Sequence, residues 1–177
     1  IVGLVHNGSV YMGCDSIAVD IETFEKVINK QPKIFMNGDF LIGYAGSFRT
    51  GQIIQHCLDI PKQNKGTETL AYIIKSFIPA VKEALKNNGN EIKDEEVESF
   101  SGHFLVGYKG RLFNIQENYS IIESSNNQDS IGCGASFAKG SLYSSKDLEP
   151  AKRVELALEA ATEFSVGVSG PFYIDVI

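Results

Sequence analysis

Ile1-Val2-Gly3-Leu4-Val5-His6-Asn7-Gly8-Ser9-Val10-Tyr11-Met12-Gly13-Cys14 reads as a β-hairpin, with Ile1 to His6 as one strand, Asn7-Gly8 as a two-residue turn and Val10 to Cys14 as the other strand. Asn-Gly supplies the two positive φ angles of a type I′ turn, whose twist matches that of paired strands. A second hairpin follows, Lys33 to Met36 and Phe40 to Tyr44, joined across Asn37-Gly38-Asp39, a cluster that tolerates left-handed backbone. The stretch between them, Asp20 to Pro32, is less regular and partly charged.

Outward from the hairpins the period changes to that of helices. Ile53, Ile54, Cys57 and Leu58 share one helical face, and Pro61 stops the run. After a capping candidate at Thr67, the residues Leu70, Ile73, Ile74, Phe77, Ile78, Val81, Ala84 and Leu85 continue that period as one long packed helix, kinked at Pro79. Asn87 to Ser99 is polar, and the crowding of Asp94, Glu95, Glu96 and Glu98 favours a solvated loop or frayed helix end. Strands resume at His103 to Tyr108 and Arg111 to Gln116 about a Lys109-Gly110 turn, then near Tyr119 to Glu123 and Ser130 to Cys133. Ala135 to Tyr143 is a short helix. Val154, Ala157, Leu158 and Ala161 mark a longer one, with Pro150 in its first turn, and Phe172 to Ile177 closes the chain as a strand. Strands, two helices, strands, two helices, strand is not the alternation of a parallel α/β fold. It suits an α+β arrangement, antiparallel sheets with helix pairs on their outer faces.

A chain of 177 residues, 43% hydrophobic and 21% charged, supports one substantial core, and a single domain over 1–177 is the expectation. The net charge of −6, with no Lys/Arg-rich face, argues against nucleic acid. Apolar runs are strand-sized, short of the roughly 18 to 20 residues of a spanning helix, and no charged leader precedes an apolar signal region. The chain therefore reads as soluble and cytoplasmic, with no membrane partner. Cys14, Cys57 and Cys133 fit neither a disulfide framework nor a zinc site, and His6, His56 and His103 are scattered singly, so no cofactor or metal is expected.

Five short segments, in order, resemble the signature of proteasome β subunits and their bacterial HslV-type relatives, members of the N-terminal-nucleophile (Ntn) hydrolases. Ile1-Val2-Gly3 resembles the strand after the paired threonines of a mature catalytic subunit, and Gly13-Cys14-Asp15-Ser16 the segment carrying the buried acid. Pro32-Lys33-Ile34-Phe35 resembles the active-site lysine segment, Ile42-Gly43-Tyr44-Ala45-Gly46-Ser47 the Ile-Gly-Phe-Ala-Gly-Ser run, and Gly132-Cys133-Gly134-Ala135-Ser136-Phe137-Ala138 the Gly-Ser-Gly-Gly run. The resemblance implies a four-layer αββα sandwich, which agrees with the layout read from periodicity.

It also implies a chemistry. In the family a threonine hydroxyl attacks a peptide carbonyl while the α-amine of the same residue takes its proton. The paired threonines would fall immediately ahead of Ile1, so the nucleophile is expected upstream. By resemblance Lys33 is the cation beside the amine, Asp15 holds Lys33, Gly43 offers its N–H to the oxyanion, and Ala18, Leu41 and Ala45 line an apolar pocket. Lys26 and Lys30 stand as alternatives to Lys33, because the Asp15 to Lys33 segment is two residues longer than usual in the family. Cys133 stands where the family has a serine that bonds the amine, and Val166 where it has an aspartate. The implied partners are a peptide or unfolded-protein substrate, further copies in a homo-oligomeric ring, and an AAA+ ATPase. A catalytically inactive subunit serving as scaffold or binding module is the competing reading.

Overall fold

The computed structural model of the chain describes residues 1–20, 22–23, 25–94 and 97–177, and only the backbone of residues 93, 94 and 97. In chain order the first half holds β1 (Val2–His6), β2 (Ser9–Cys14), β3 (Ile17–Val19), β4 (Lys26–Ile28), β5 (Ile34–Asn37), β6 (Phe40–Ala45) and α1 (Phe48–Cys57). A composite helix follows, α2 (Thr69–Tyr72), a π-helical turn (Ile73–Phe77) and α3 (Ile78–Asn87). The second half holds β7 (Ile92–Asp94), β8 (Val97–Ser99), β9 (His103–Tyr108), β10 (Arg111–Ile115), β11 (Ile121–Glu123), β12 (Gln128–Ser130), α4 (Ala135–Ser144), α5 (Pro150–Phe164) and β13 (Tyr173–Val176).

The strands form a four-stranded sheet, β12-β1-β2-β13, and a five-stranded sheet, β11-β10-β9-β6-β5, antiparallel throughout. Side chains alternate between the two faces of a strand, and here both faces are apolar. On β6, Phe40, Ile42 and Tyr44 join a core with α1 and the composite helix, while Leu41 faces the other sheet. On β1 and β2, Val2 and Leu4 pack with Ala138, Leu142, Val154 and Leu158 of α4 and α5, while Val10, Met12 and Cys14 face inward. Three apolar layers therefore separate helices, sheet, sheet and helices. This is the αββα sandwich expected from the sequence.

Glycine brings the sheets close at particular points. A Cβ on Gly107 of β9 would stand 2.8 Å from Val10 Cγ1, and one on Gly3 of β1 would stand 2.9 Å from Leu105 Cδ2. The tips of the hairpins follow the sequence reading. Asn7 and Gly8 both have positive φ, 50° and 79°, with His6 opposite Ser9, which is the type I′ geometry.

Elsewhere the structure corrects the reading. Cys57 is exposed, because α1 ends there and Leu58, in extended conformation, reaches the core from beyond the helix end. The cap of α2 is Glu68, whose carboxylate accepts the Ala71 N–H at 2.8 Å, rather than Thr67. The distortion expected at Pro79 is taken up one turn earlier, in the π turn, where the Ile78 N–H reaches back to Ile73 O. Proline lacks an N–H and crowds the preceding turn, so a widened turn ahead of it relieves both. Tyr72 and Ile73 then stand over Phe77 and Ile78, and Ile74 turns to solvent. The irregular stretch after Val19 contains β4, paired with β3, and the polar stretch before Ser99 contains β7, paired antiparallel with β8. Glu95 and Glu96 of the acidic crowd lie outside the described residues. Among the described residues no helix is long and apolar enough to cross a membrane.

Replacing Gly107 by Ala forces a methyl group against the stiff Val10 side chain, and we expect a loss of about 1–3 kcal/mol. Urea unfolding should show a lower midpoint at unchanged slope.

Candidate active site

The two sheets are joined at one end by an ion pair. Asp15 follows the last residue of β2, in the four-stranded sheet, and Lys33 precedes the first residue of β5, in the five-stranded sheet. Lys33 Nζ donates to Asp15 Oδ1 at 2.7 Å, with the side chains only 11% and 7% exposed. The second carboxylate oxygen, Oδ2, accepts the Ile17 N–H at 3.1 Å. Lys33 Nζ also lies 5.9 Å from the centre of the Phe48 ring, at the outer range of a cation–π contact. Its backbone is held by the Tyr44 N–H, which donates to Lys33 O at 3.0 Å.

Above the pair opens a cavity of about 380 Å³, within the roughly 300–1,000 Å³ of small-ligand sites. One wall consists of Val19, Tyr44, Ala45, Gly46 and Phe48 beside Asp15 and Lys33. The floor is the start of β1 and the Ile131–Ala135 turn, and the far wall comes from α5 and residues 165–168. The Ile1 nitrogen donates to Ile131 O at 3.0 Å and Ile131 N donates back to Ile1 O at 3.0 Å, extending the β1–β12 ladder to the cavity edge.

Ser16 ties the far wall in place. Its N–H donates to Ser169 O at 3.1 Å, its hydroxyl donates to Pro171 O, and its carbonyl accepts the Asn29 N–H at 2.6 Å. Gly134 and Gly167 let the two loops meet, since Cβ atoms there would stand 2.8 Å from Val168 Cγ2 and 3.1 Å from Cys133 Cβ.

No family model and no curated relative matches this sequence. Solved structures do, over nearly the whole chain. BPH from Thiobacillus denitrificans, in complex with epoxomicin, superposes with a TM-score of 0.80 at 20% identity, covering 99% of this chain and 97% of that one. Eukaryotic HslV from Trypanosoma brucei gives a TM-score of 0.72 at 18% identity, with coverage of 99% and 97%. Anbu, an ancestral β-subunit from Yersinia bercovieri, gives 0.65 at 15% identity, covering 99% of this chain and 80% of that one. The chain has the proteasome-like Ntn-hydrolase fold.

Within this proteasome-like fold the residues singled out from sequence separate into two groups. Asp15, Lys33, Ala45 and Cys133 come together on the cavity, and Lys26 and Lys30 lie exposed away from its wall. Gly43, Leu41 and Ala18 are not on the wall. Gly43 lies in mid-sheet opposite Ile34 on one side and Leu105 on the other. Because Tyr44 directs its N–H to Lys33, the N–H of Gly43 points the other way, into the ladder with β9. Leu41 is fully buried between the sheets, and Ala18 yields its place to Val19, one residue on and therefore on the opposite face of β3. The resemblance left Gly46, Val19 and Phe48 unassigned. Gly46 was signalled as the last residue before Ser47, which caps α1 by accepting the Thr50 N–H at 3.2 Å. Val166, 89% exposed, sits at the rim.

Two outcomes follow from these environments. Asp15→Ala strands a buried ammonium and should cost about 3–5 kcal/mol, much of it recovered in the Asp15→Ala/Lys33→Met double variant, as read by denaturant unfolding of the full cycle. Burial pushes the Cys14 thiol above its ordinary value, whereas Cys57 and Cys133 are exposed. Mass spectrometry after maleimide treatment should find adducts on Cys57 and Cys133 in the native protein and on Cys14 only after unfolding.

Proposed function

We propose that this chain is a single-domain, proteasome-like subunit that hydrolyses peptide bonds, its threonine nucleophile lying two positions ahead of Ile1. The observation that carries the reading is the buried Asp15–Lys33 pair opening onto a cavity at the start of β1. A residue two positions before Ile1 continues the strand at the cavity edge, within the field of Lys33.

There the hydroxyl oxygen would attack the peptide carbonyl carbon and pass its proton to the α-amine of its own residue. The Lys33 ammonium favours the unprotonated amine and stabilises charge on the attacking oxygen, and Asp15 keeps the ammonium in place. The amine then returns the proton to the departing peptide nitrogen, leaving an ester that water cleaves in a second passage through the same groups.

Gly46, in place of Gly43, suits the oxyanion. The alternation along β6 that sends the Tyr44 N–H toward Lys33 sends the Gly46 N–H to the same side, where β5 has not yet begun and the cavity lies. Val19, Tyr44, Ala45 and Phe48 favour an uncharged apolar side chain next to the scissile bond. Cys133 takes the position of the hydroxyl that supports the amine. A thiol is the weaker hydrogen-bonding partner, which lowers turnover without removing the nucleophile. By analogy with the family, the working form is a cytoplasmic homo-oligomeric ring taking peptide or unfolded-protein substrate, with an AAA+ ATPase as partner.

Intact mass and N-terminal sequencing of the mature protein test the reading together with a fluorogenic peptide assay. The expected result is a threonine two residues before Ile1 and slow hydrolysis that falls at least about 10²-fold in Lys33→Ala. A mature chain beginning at Ile1, or no hydrolysis above background, would leave the scaffold reading, and hydrolysis indifferent to Lys33 would overturn the role given to that residue.

A further inference from the structure

Behind the cavity wall two glycines from distant parts of the chain meet backbone to backbone. Gly46 follows β6 with φ +96°, and Gly102 precedes β9 with φ +108°. Side chains are strained at such angles. A Cβ on Gly46 would stand 2.8 Å from Gly102 Cα. A Cβ on Gly102 would stand 2.5 Å from Ala45 O and 3.3 Å from Ser47 N. The space a Gly102 side chain would need is thus taken by the carbonyl on one side of Gly46 and the nitrogen on the other. Gly102 is itself buried and does not line the cavity.

We propose that Gly102 is a positioning residue: its bare α-carbon is the seat of the Ala45-Gly46-Ser47 segment and sets the aim of the Gly46 N–H. The proposal rests on the peptidase reading of the cavity. The segment's other anchors lie at its ends, in the pairing of Ala45 with His103 and in the Ser47 cap of α1, so contact with Gly102 fixes the peptide between them. A methyl group on Gly102 must push Ala45 O outward and tilt that peptide. A donor aimed at developing negative charge acts mainly in the transition state, so a displacement of its N–H lowers kcat and leaves KM nearly unchanged. Misplacement of about 1 Å is enough for roughly a 10²-fold loss.

Strain and contact are separable, because Gly66 has φ +81° and nothing within 4 Å of its Cβ position. The test compares Gly102→Ala with Gly66→Ala in the full-length assembled protein. Peptide hydrolysis is assayed, and hydrogen exchange is followed on the segment from Tyr44 to Thr50. Gly102→Ala should lower kcat about 10- to 100-fold with KM within about threefold, and should speed exchange in that segment, whereas Gly66→Ala does neither. Equal losses in the two variants, or an unchanged kcat in a folded Gly102→Ala, overturn the proposal.

Gly102→Asn, which places the same Cβ with a side chain better suited to positive φ, is the reserve if the alanine variant does not fold. If both fail to fold while Gly66→Ala folds, the contact serves the fold and the proposal falls. If wild-type protein hydrolyses no peptide, the peptidase reading fails instead. Exchange then decides for Gly102 alone: faster exchange in Gly102→Ala than in Gly66→Ala supports the seat, and no difference overturns it.

Discussion

The ion pair between Asp15 and Lys33 is where the architecture and the chemistry of this chain coincide. Each partner belongs to a different sheet, so the pair forms only when the two sheets have packed face to face. Burying two charges is costly, and the attraction between them offsets that cost only at good geometry with the remaining lone pairs satisfied. The second Asp15 oxygen has the Ile17 N–H, the Lys33 backbone has Tyr44, and the ammonium faces both the carboxylate and the Phe48 ring. What surrounds the pair can be understood as the means of bringing two sheet ends to this distance.

The sheets approach because their facing layers mix small and large residues. Gly3 accepts Leu105 and Leu112, and Gly107 accepts Val10. The outer faces carry bulk instead. Phe40, stacked on Tyr108 with ring centres 4.0 Å apart and on Phe77 at 4.9 Å, fills the space under the composite helix. On the other side the buried Arg153 donates to Gln128 Oε1 and to Leu142 O in the last turn of α4. A cation is favoured at that end of a helix, so it serves as part of the α4–α5 packing.

Strand and turn chemistry made the layers legible in the sequence, since Asn7-Gly8 and Lys109-Gly110 have few alternatives and alternation along β6 and β9 assigns faces. Asp15, Lys33 and Cys133, quoted from short segments whose order matched a known pattern, line one cavity. Gly43 lies off the cavity and Gly46 on it, a difference that depends on where β5 begins, and a strand's first residue is set by tertiary pairing. Ala18 and Leu41 lie off the cavity for a related reason: one residue of register exchanges the faces of a strand. Ile74 and Cys57 show the limit for helices, where a π turn and an early helix end shift the phase without any change in apolar period.

The tie from Ser16 to residues 169–171 has a bearing on how the cavity responds to crowding by a bound molecule. Ser16 is the neighbour of Asp15, and the loop it grips carries the far wall at residues 165–168. A bulky occupant that levers this wall outward must pull on the residue adjoining the acid of the ion pair. The position of the far wall and the alignment of the ion pair are then mechanically connected through a single turn of backbone.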